Sequence, residues 1–176
     1  MLEIGCGTGR DSAVLDSAGF KVIALDRSAE AIGQAKARVP GAGFHCQDIR
    51  DSFPVAPASV GAVVASLSLH YFPWAETVAL LQRVRACLSP GGVLLCRLNS
   101  TNDHHYGASG HPPLDDNYYL VDGEPKRFFD EAAVRRLFAE GWSVIGCEER
   151  VVDRYEHPKA LWEVVATASA ASGSHQ

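Results

Sequence analysis

Apolar positions along this chain follow two alternating rhythms. Leu2–Ile4, Lys21-Val-Ile-Ala-Leu25, Val60–Ala65 and Val93–Leu98 are short, nearly unbroken apolar runs, and Gly43–Gln47 is a shorter, more polar one. Runs of this length fit strands, and the unbroken ones fit parallel strands buried on both faces. Between them, apolar residues return every three or four positions, as in helices that pack through one stripe. Thr8–Ala18 reads as a helix on Ala13, Val14 and Ala18, and Trp74–Leu88 as another on Val78, Leu81, Val84 and Leu88.

The punctuation agrees with this division. Gly19 stops the first helix. Ser28 caps a second, which carries Glu30 in its first turn and ends near Arg38, before Pro40-Gly41. Ser52–Ser59 holds two prolines and reads as loop, and Ser89-Pro-Gly-Gly92 reads as a tight turn. Asp130 caps a helix that runs through Ala139 to Gly141, and Trp142–Val152 and Leu161–Thr167 close the chain as a pair of strands. Residues 99–127 break the rhythm. They are polar, aromatic and histidine-rich, which predicts a functional or disordered insertion on the substrate side. The small, polar tail from Ala168, residues 169–176 above all, predicts disorder.

Strands alternating with helices predict an α/β fold: one doubly wound, mostly parallel sheet with helices on both faces, forming a single domain over residues 1–168. Ligands of such sheets bind beyond the carboxyl ends of the strands. Polar and small residues gather there: Gly5, Gly7 and Gly9 after the first strand, Asp26 after the second, Asp48 and Ile49 after the third, Ser66, Leu67, His70 and Tyr71 after the fourth. A strand that ends in alternating glycines and restarts as a helix makes a cradle for a cofactor. A dinucleotide fingerprint would need glycine at position 10, where Arg10 stands. Asp26 could bind ribose hydroxyls of a dinucleotide or of another nucleoside cofactor, whereas Asp48 and the Ile49 N–H suit an adenine edge.

Leu2-Glu-Ile-Gly-Cys-Gly-Thr-Gly9 resembles motif I of the class I S-adenosylmethionine (SAM)-dependent methyltransferases. Val63–Phe72 resembles that family's fourth-strand motif, and Leu88–Gly92 followed by a strand is also typical of it. The resemblance covers Met1 to about Leu98 and says little about the insertion. It implies a seven-stranded sheet with an antiparallel last strand, SAM as cofactor, S-adenosylhomocysteine (SAH) as product, and methyl transfer to a small-molecule acceptor. It places Glu3, Gly5, Cys6, Gly7, Asp26, Arg27, Asp48, Ile49 and Ser66 around the cofactor, with Glu3 at its amino-acid end, and His70 and Tyr71 near the methyl group. His70 is the candidate general base, and Tyr71, Phe72 and Trp74 are candidate aromatic neighbours of the sulfonium. A nicotinamide oxidoreductase and a SAM-binding module without turnover are the alternatives.

Family members usually carry helices before the first strand, whereas Met1 already lies in it. The expectation is an upstream start, closure by another subunit, or an open pocket with weak binding and slow turnover. Apolar surface left bare by those missing helices predicts self-association, a homodimer in its simplest form.

Composition narrows the field further. With 47% hydrophobic and 21% charged residues, the 176-residue chain reads as an ordinary globular protein. A net charge of −5 without a basic run argues against a nucleic-acid partner. The start lacks the pattern of a signal peptide, and no apolar stretch is long enough to predict a membrane span. Five scattered cysteines without a C-x-x-C pair predict reduced, buried thiols and a cytoplasmic setting. Asp103, His104, His105, His111, Asp115 and Asp116 match no metal-ligand spacing, so no metal is expected.

Overall fold

The computed structural model describes residues 1–169. Ten strands and four α-helices follow in chain order: β1 (Leu2–Ile4), α1 (Arg10–Ser17), β2 (Ile23–Asp26), α2 (Ala29–Arg38), β3 (Gly43–Cys46), β4 (Val60–Ser66), α3 (Trp74–Cys87), β5 (Leu88–Asn99), β6 (Pro113–Asp115), β7 (Tyr118–Val121), β8 (Glu124–Arg127), α4 (Glu131–Leu137), β9 (Trp142–Val152) and β10 (Lys159–Ala168). Seven strands form the main sheet in the order β3-β2-β1-β4-β5-β10-β9. The first five run parallel, and β10 is antiparallel to both β5 and β9. Strand order reverses between β1 and β4, which opens a crevice at their carboxyl ends. An all-parallel dinucleotide-binding sheet has no antiparallel strand in the place of β10, so the topology favours the seven-stranded expectation.

Local signals set most of these boundaries. Gly19, at φ 87°, donates to Asp16 O while Phe20 N–H donates to Leu15 O, the paired bonds that finish a helix in a left-handed residue. Ser28 Oγ accepts from Ala31 N–H, and a carboxylate oxygen of Asp130 accepts from Ala133 N–H. One core lies between the sheet and α3 and α4, built on Leu2, Ile4, Val63, Leu94, Leu98, Leu81, Val84, Phe129 and Trp162. A smaller one joins α2 to β2 and β3 through Ala24, Ile32, Ala35 and Phe44.

Three expectations change. Ser89–Gly92 is no free-standing turn, because β5 already begins at Leu88, paired with Val60, and the register shifts before Ala62 pairs with Val93. Residues 99–127 are structured: a 3-10 turn at His104–Tyr106 precedes a three-stranded antiparallel sheet in the order β6-β7-β8. Of the cysteines, Cys6, Cys87 and Cys96 are buried, but Cys46 is exposed and Cys147 half-buried. At the chain end, Ala168 belongs to β10 and Ser169 N–H donates to Gly141 O, while the rest of the expected tail, 170–176, lies outside the described residues. Among the described residues no helix is long and apolar enough to cross a membrane.

Candidate functional site

A cleft of about 460 Å³ opens where the sheet order reverses. Gly5 and Gly7 from the turn after β1, Asp26 and Arg27 from the end of β2, and Asp48, Ile49 and Arg50 after β3 line one side. Leu67, Ser68, Tyr71 and Phe72 after β4 line the other, with Glu124 and Pro125 of β8.

The glycine turn owes its shape to backbone conformation. Gly5, Gly7 and Gly9 have φ of 73°, 52° and 77°, a region costly for other residues. A Cβ on Gly5 would lie 2.5 Å from Ser68 Cβ, and one on Gly9 would lie 2.9 Å from Ala35 Cβ. Gly9 thus lets α2 approach the turn, the packing role that a dinucleotide fingerprint would assign to position 10. A Cβ on Gly7 would meet nothing within 4 Å, so the chain leaves open space beside this glycine in the cleft.

The turn's amides face inward. Gly5 and Cys6 N–H both donate to Leu25 O, Gly7 N–H donates to Asp26 Oδ2 at 2.8 Å, and Gly9 N–H donates to Cys6 O. Asp26 Oδ1 also accepts from Ser28 N–H at 2.9 Å. This carboxylate is therefore fixed by two backbone donors and keeps further lone pairs for a ligand.

Asp48 is held in the same manner. Its Oδ1 accepts from Arg50 N–H at 2.8 Å, and Arg50 lies 3.5 Å from its other oxygen. Ile49 N–H donates to no acceptor among the described residues. The Arg83 guanidinium of α3 binds the carbonyls of Ile49, Arg50 and Asp51 and covers the Phe53 ring, which fixes this loop. Arg50 pairs with Glu76 and lies over the Phe72 ring, 4.7 Å from its centroid.

The predicted site residues divide into two groups. Gly5, Gly7, Asp26, Arg27, Asp48, Ile49 and Tyr71 come together around the cleft. Glu3, Cys6, Ser66 and His70 are not among its lining residues. Glu3 is 2% exposed beneath the turn and accepts a hydrogen bond from Ser12 Oγ of α1. Burial pushes its carboxyl up to about 7, nearby Asp11 and Asp26 add to this, and the Ser12 hydroxyl opposes it. Burial also raises the Cys6 thiol to about 12. Ser66 lines a separate hollow of about 330 Å³ on the α1 side of the sheet. His70 is 3% exposed, and its Nδ1 has no hydrogen-bond partner among the described residues. Burial, reinforced by Lys159 and Lys126, lowers its pKa to about 3. Tyr71 does face the cleft, and burial holds its phenol above the ordinary range.

The insertion supplies Glu124 and Arg127, two residues that the sequence reading did not single out. Glu124 meets Arg27 at 3.2 Å, and so links β8 to the end of β2 across the cleft. Arg127 is buried: its N–H donates to His70 O at 2.7 Å and its side chain donates to Asp116 O at 3.0 Å, with the guanidinium over the rings of Tyr118 and Trp74. Tyr118 OH donates to Tyr71 O. These contacts bind the small sheet to the loop that carries Tyr71 and Phe72. Elsewhere in the insertion, Asp103 pairs with Lys159 and His105 stacks on His157. Among the described residues no group of three His, Cys, Asp or Glu side chains could hold a metal ion.

A family model described as a methyltransferase domain matches residues 1–92. An uncharacterised methyltransferase of Synechocystis sp. is 31% identical over 93 residues, covering 53% of this chain and 43% of that protein. A trans-aconitate 2-methyltransferase of Acidovorax sp. is 33% identical over 106 residues, covering 58% and 39%. The chain thus spans about two fifths of the length of these curated relatives. Among solved structures, a SAM-dependent methyltransferase from Methanosarcina mazei superposes with a TM-score of 0.82 at 19% identity, covering 95% of this chain and 91% of that one. A Burkholderia thailandensis 1,6-didemethyltoxoflavin N1-methyltransferase with bound 1,6-didemethyltoxoflavin and SAH gives 0.74 at 20% identity, covering 96% and 70%. At these identities the structural likeness establishes the fold.

Proposed function

The chain belongs to the class I SAM-dependent methyltransferase family, and from that premise we propose that it transfers a methyl group from SAM to a small-molecule acceptor in the cleft at the ends of β1, β2, β3 and β4. The observation that carries this reading is the cradle itself: open space at Gly7 beside two carboxylates, Asp26 held by two backbone donors and Asp48 by one, with the Ile49 amide unpaired among the described residues. These groups fit an adenosine. Asp26 would accept from ribose hydroxyls, Asp48 from the adenine amino group, and Ile49 N–H would donate to a ring nitrogen.

Bound SAM would supply an electrophilic methyl group. The chain's own part is to hold that group in line with a nucleophile, a contribution that needs no covalent participation by the protein. Glu3 acts from beneath, tying α1 to β1 through Ser12. Tyr71 would present aromatic surface to the reacting end, and Ser68, whose Oγ has no partner among the described residues, lies beside Gly5. His70 serves as a packed residue of the loop rather than as a base, because it lies outside the cleft lining and its conjugate acid is too strong to draw a proton from an acceptor near neutral pH.

Incubation with methyl-labelled SAM and a mixed panel of small molecules, protein and RNA tests the acceptor class. Label is expected in a small molecule; label confined to protein or RNA would contradict the proposal.

A further inference from the structure

The cleft's charges restrict what can lie beside the cofactor. Its lining holds two guanidiniums, and each already faces a carboxylate: Arg27 faces Glu124 at 3.2 Å, and Arg50 faces both Glu76 and Asp48. Three carboxylates, Asp26, Asp48 and Glu124, line the same space. An acceptor carrying several carboxylates would meet no unpaired cation among the described lining residues, and to gain one it would have to break an existing pair. With Asp26 and Asp48 engaged by the adenosine, Glu124 is the lining carboxylate left to oppose such an acceptor.

The wall away from the glycine turn is of a different kind. Leu67, Tyr71, Phe72 and Pro125 supply apolar and aromatic surface, and the small sheet holds it in place through Arg127 and Tyr118. The Phe72 ring is buried under Arg50, so the accessible aromatic surface is that of Tyr71, 36% exposed; it favours a flat partner, which gains dispersion and offset stacking without needing a counter-charge.

Resting on the SAM reading of this cleft, we infer that the acceptor is a flat, uncharged heteroaromatic molecule and not a polycarboxylate. This separates the chain from what the names of its trans-aconitate 2-methyltransferase relatives would suggest. The cleft also lacks a base suited to neutral pH on its aromatic wall, since burial keeps the Tyr71 phenol protonated and His70 lies outside the lining. The acceptor therefore provides its own lone pair, from a ring nitrogen. Its new bond to the methyl carbon forms as the carbon–sulfur bond breaks, the electron pair stays on sulfur, and the acceptor's proton leaves to water.

Calorimetric titration of the full chain tests this in two stages. SAH alone is titrated first, and failure at this stage would remove the cofactor reading itself. Lumazine, quercetin and trans-aconitate are then each titrated into SAH-saturated protein. The expected result is saturable binding of at least one flat probe and none of trans-aconitate. Tyr71→Ala should weaken the flat probe about tenfold, Tyr71→Phe should retain its binding, and a thermal melt of each variant reports its folding. Trans-aconitate binding more tightly than both flat probes, or neither flat probe binding to SAH-loaded protein, would overturn the inference. So would a Tyr71→Ala variant that binds SAH and the flat probe as wild type does.

Discussion

Gly7 N–H donates to Asp26 Oδ2 at 2.8 Å, a bond that joins the glycine turn after β1 to the last residue of β2. The cleft-lining carboxylate and the turn beside it are thus one unit, and Ser28 N–H on the other oxygen fixes its rotation.

Asp26→Ala should therefore remove a ligand contact while leaving a nearly intact fold. SAH affinity is expected to fall about tenfold to a hundredfold, in line with loss of charge-assisted hydrogen bonds. Calorimetry and a thermal melt on the same variant check this; unchanged affinity in a folded variant would remove Asp26 from the site.

Gly5 and Gly7 should respond differently to the same change. Gly5→Ala drives a Cβ to 2.5 Å from Ser68 Cβ in a left-handed residue, so stability should drop by about 2–4 kcal/mol. Gly7→Ala meets no protein atom, and only the backbone cost of about 1 kcal/mol applies. Its methyl group projects into open space beside the cofactor, so SAH affinity should fall. Denaturant unfolding combined with SAH titration separates the two; equal losses of stability would contradict the geometry.

Glu3 should give the protein a pH-dependent stability. Burial raises its folded-state pKa to about 7, against 4.5 for the free group, so the folded chain keeps a proton that the unfolded chain has released. This contribution is fully present below pH 4.5 and is lost as pH rises through 7. Glu3→Gln should be more stable than wild type at pH 8, by up to about 3 kcal/mol, with the gap closing towards pH 4.5. Urea unfolding across this range is the check, and a gap independent of pH would refute it.

Arg127→Met should loosen the small sheet. It strips donors from the Asp116 and Phe72 carbonyls and removes the cation over Tyr118. A stability loss of about 2–4 kcal/mol is expected, together with weaker acceptor binding, since the same contacts fix the Tyr71–Phe72 loop. A melt and acceptor titration indistinguishable from wild type would contradict this role.

The centre of the main sheet was legible because β1, β2 and β4 are short apolar runs closed by Gly5, Asp26 and Ser66, and because Gly19, Ser28 and Asp130 mark helix ends by local chemistry. The carboxyl-end positions of Gly7, Asp26 and Asp48 followed from the same pattern. The small sheet did not, because β6 and β8, which flank the apolar β7, carry Pro, Asp, Glu and Lys instead of an apolar alternation. The available signal was Asp122-Gly123, two consecutive residues with φ of 53° and 82° that make the β7–β8 hairpin turn. Arg127 was equally hard to read, since a buried arginine is defined by carbonyls and rings distant in sequence. Ser66 and His70 show the limit of position along a strand. One residue decides which face a side chain meets, and it directs Ser66 to the α1-side hollow while Leu67 and Ser68 enter the cleft.

The central claim is that this cleft is built for the adenosine and methionine of SAM and not for a dinucleotide. Parallel calorimetric titrations of the full chain with SAH and with NADH test it most directly. One saturable SAH site, and no heat with NADH, is the predicted result. No heat with SAH, or NADH binding at least as tightly, would contradict it.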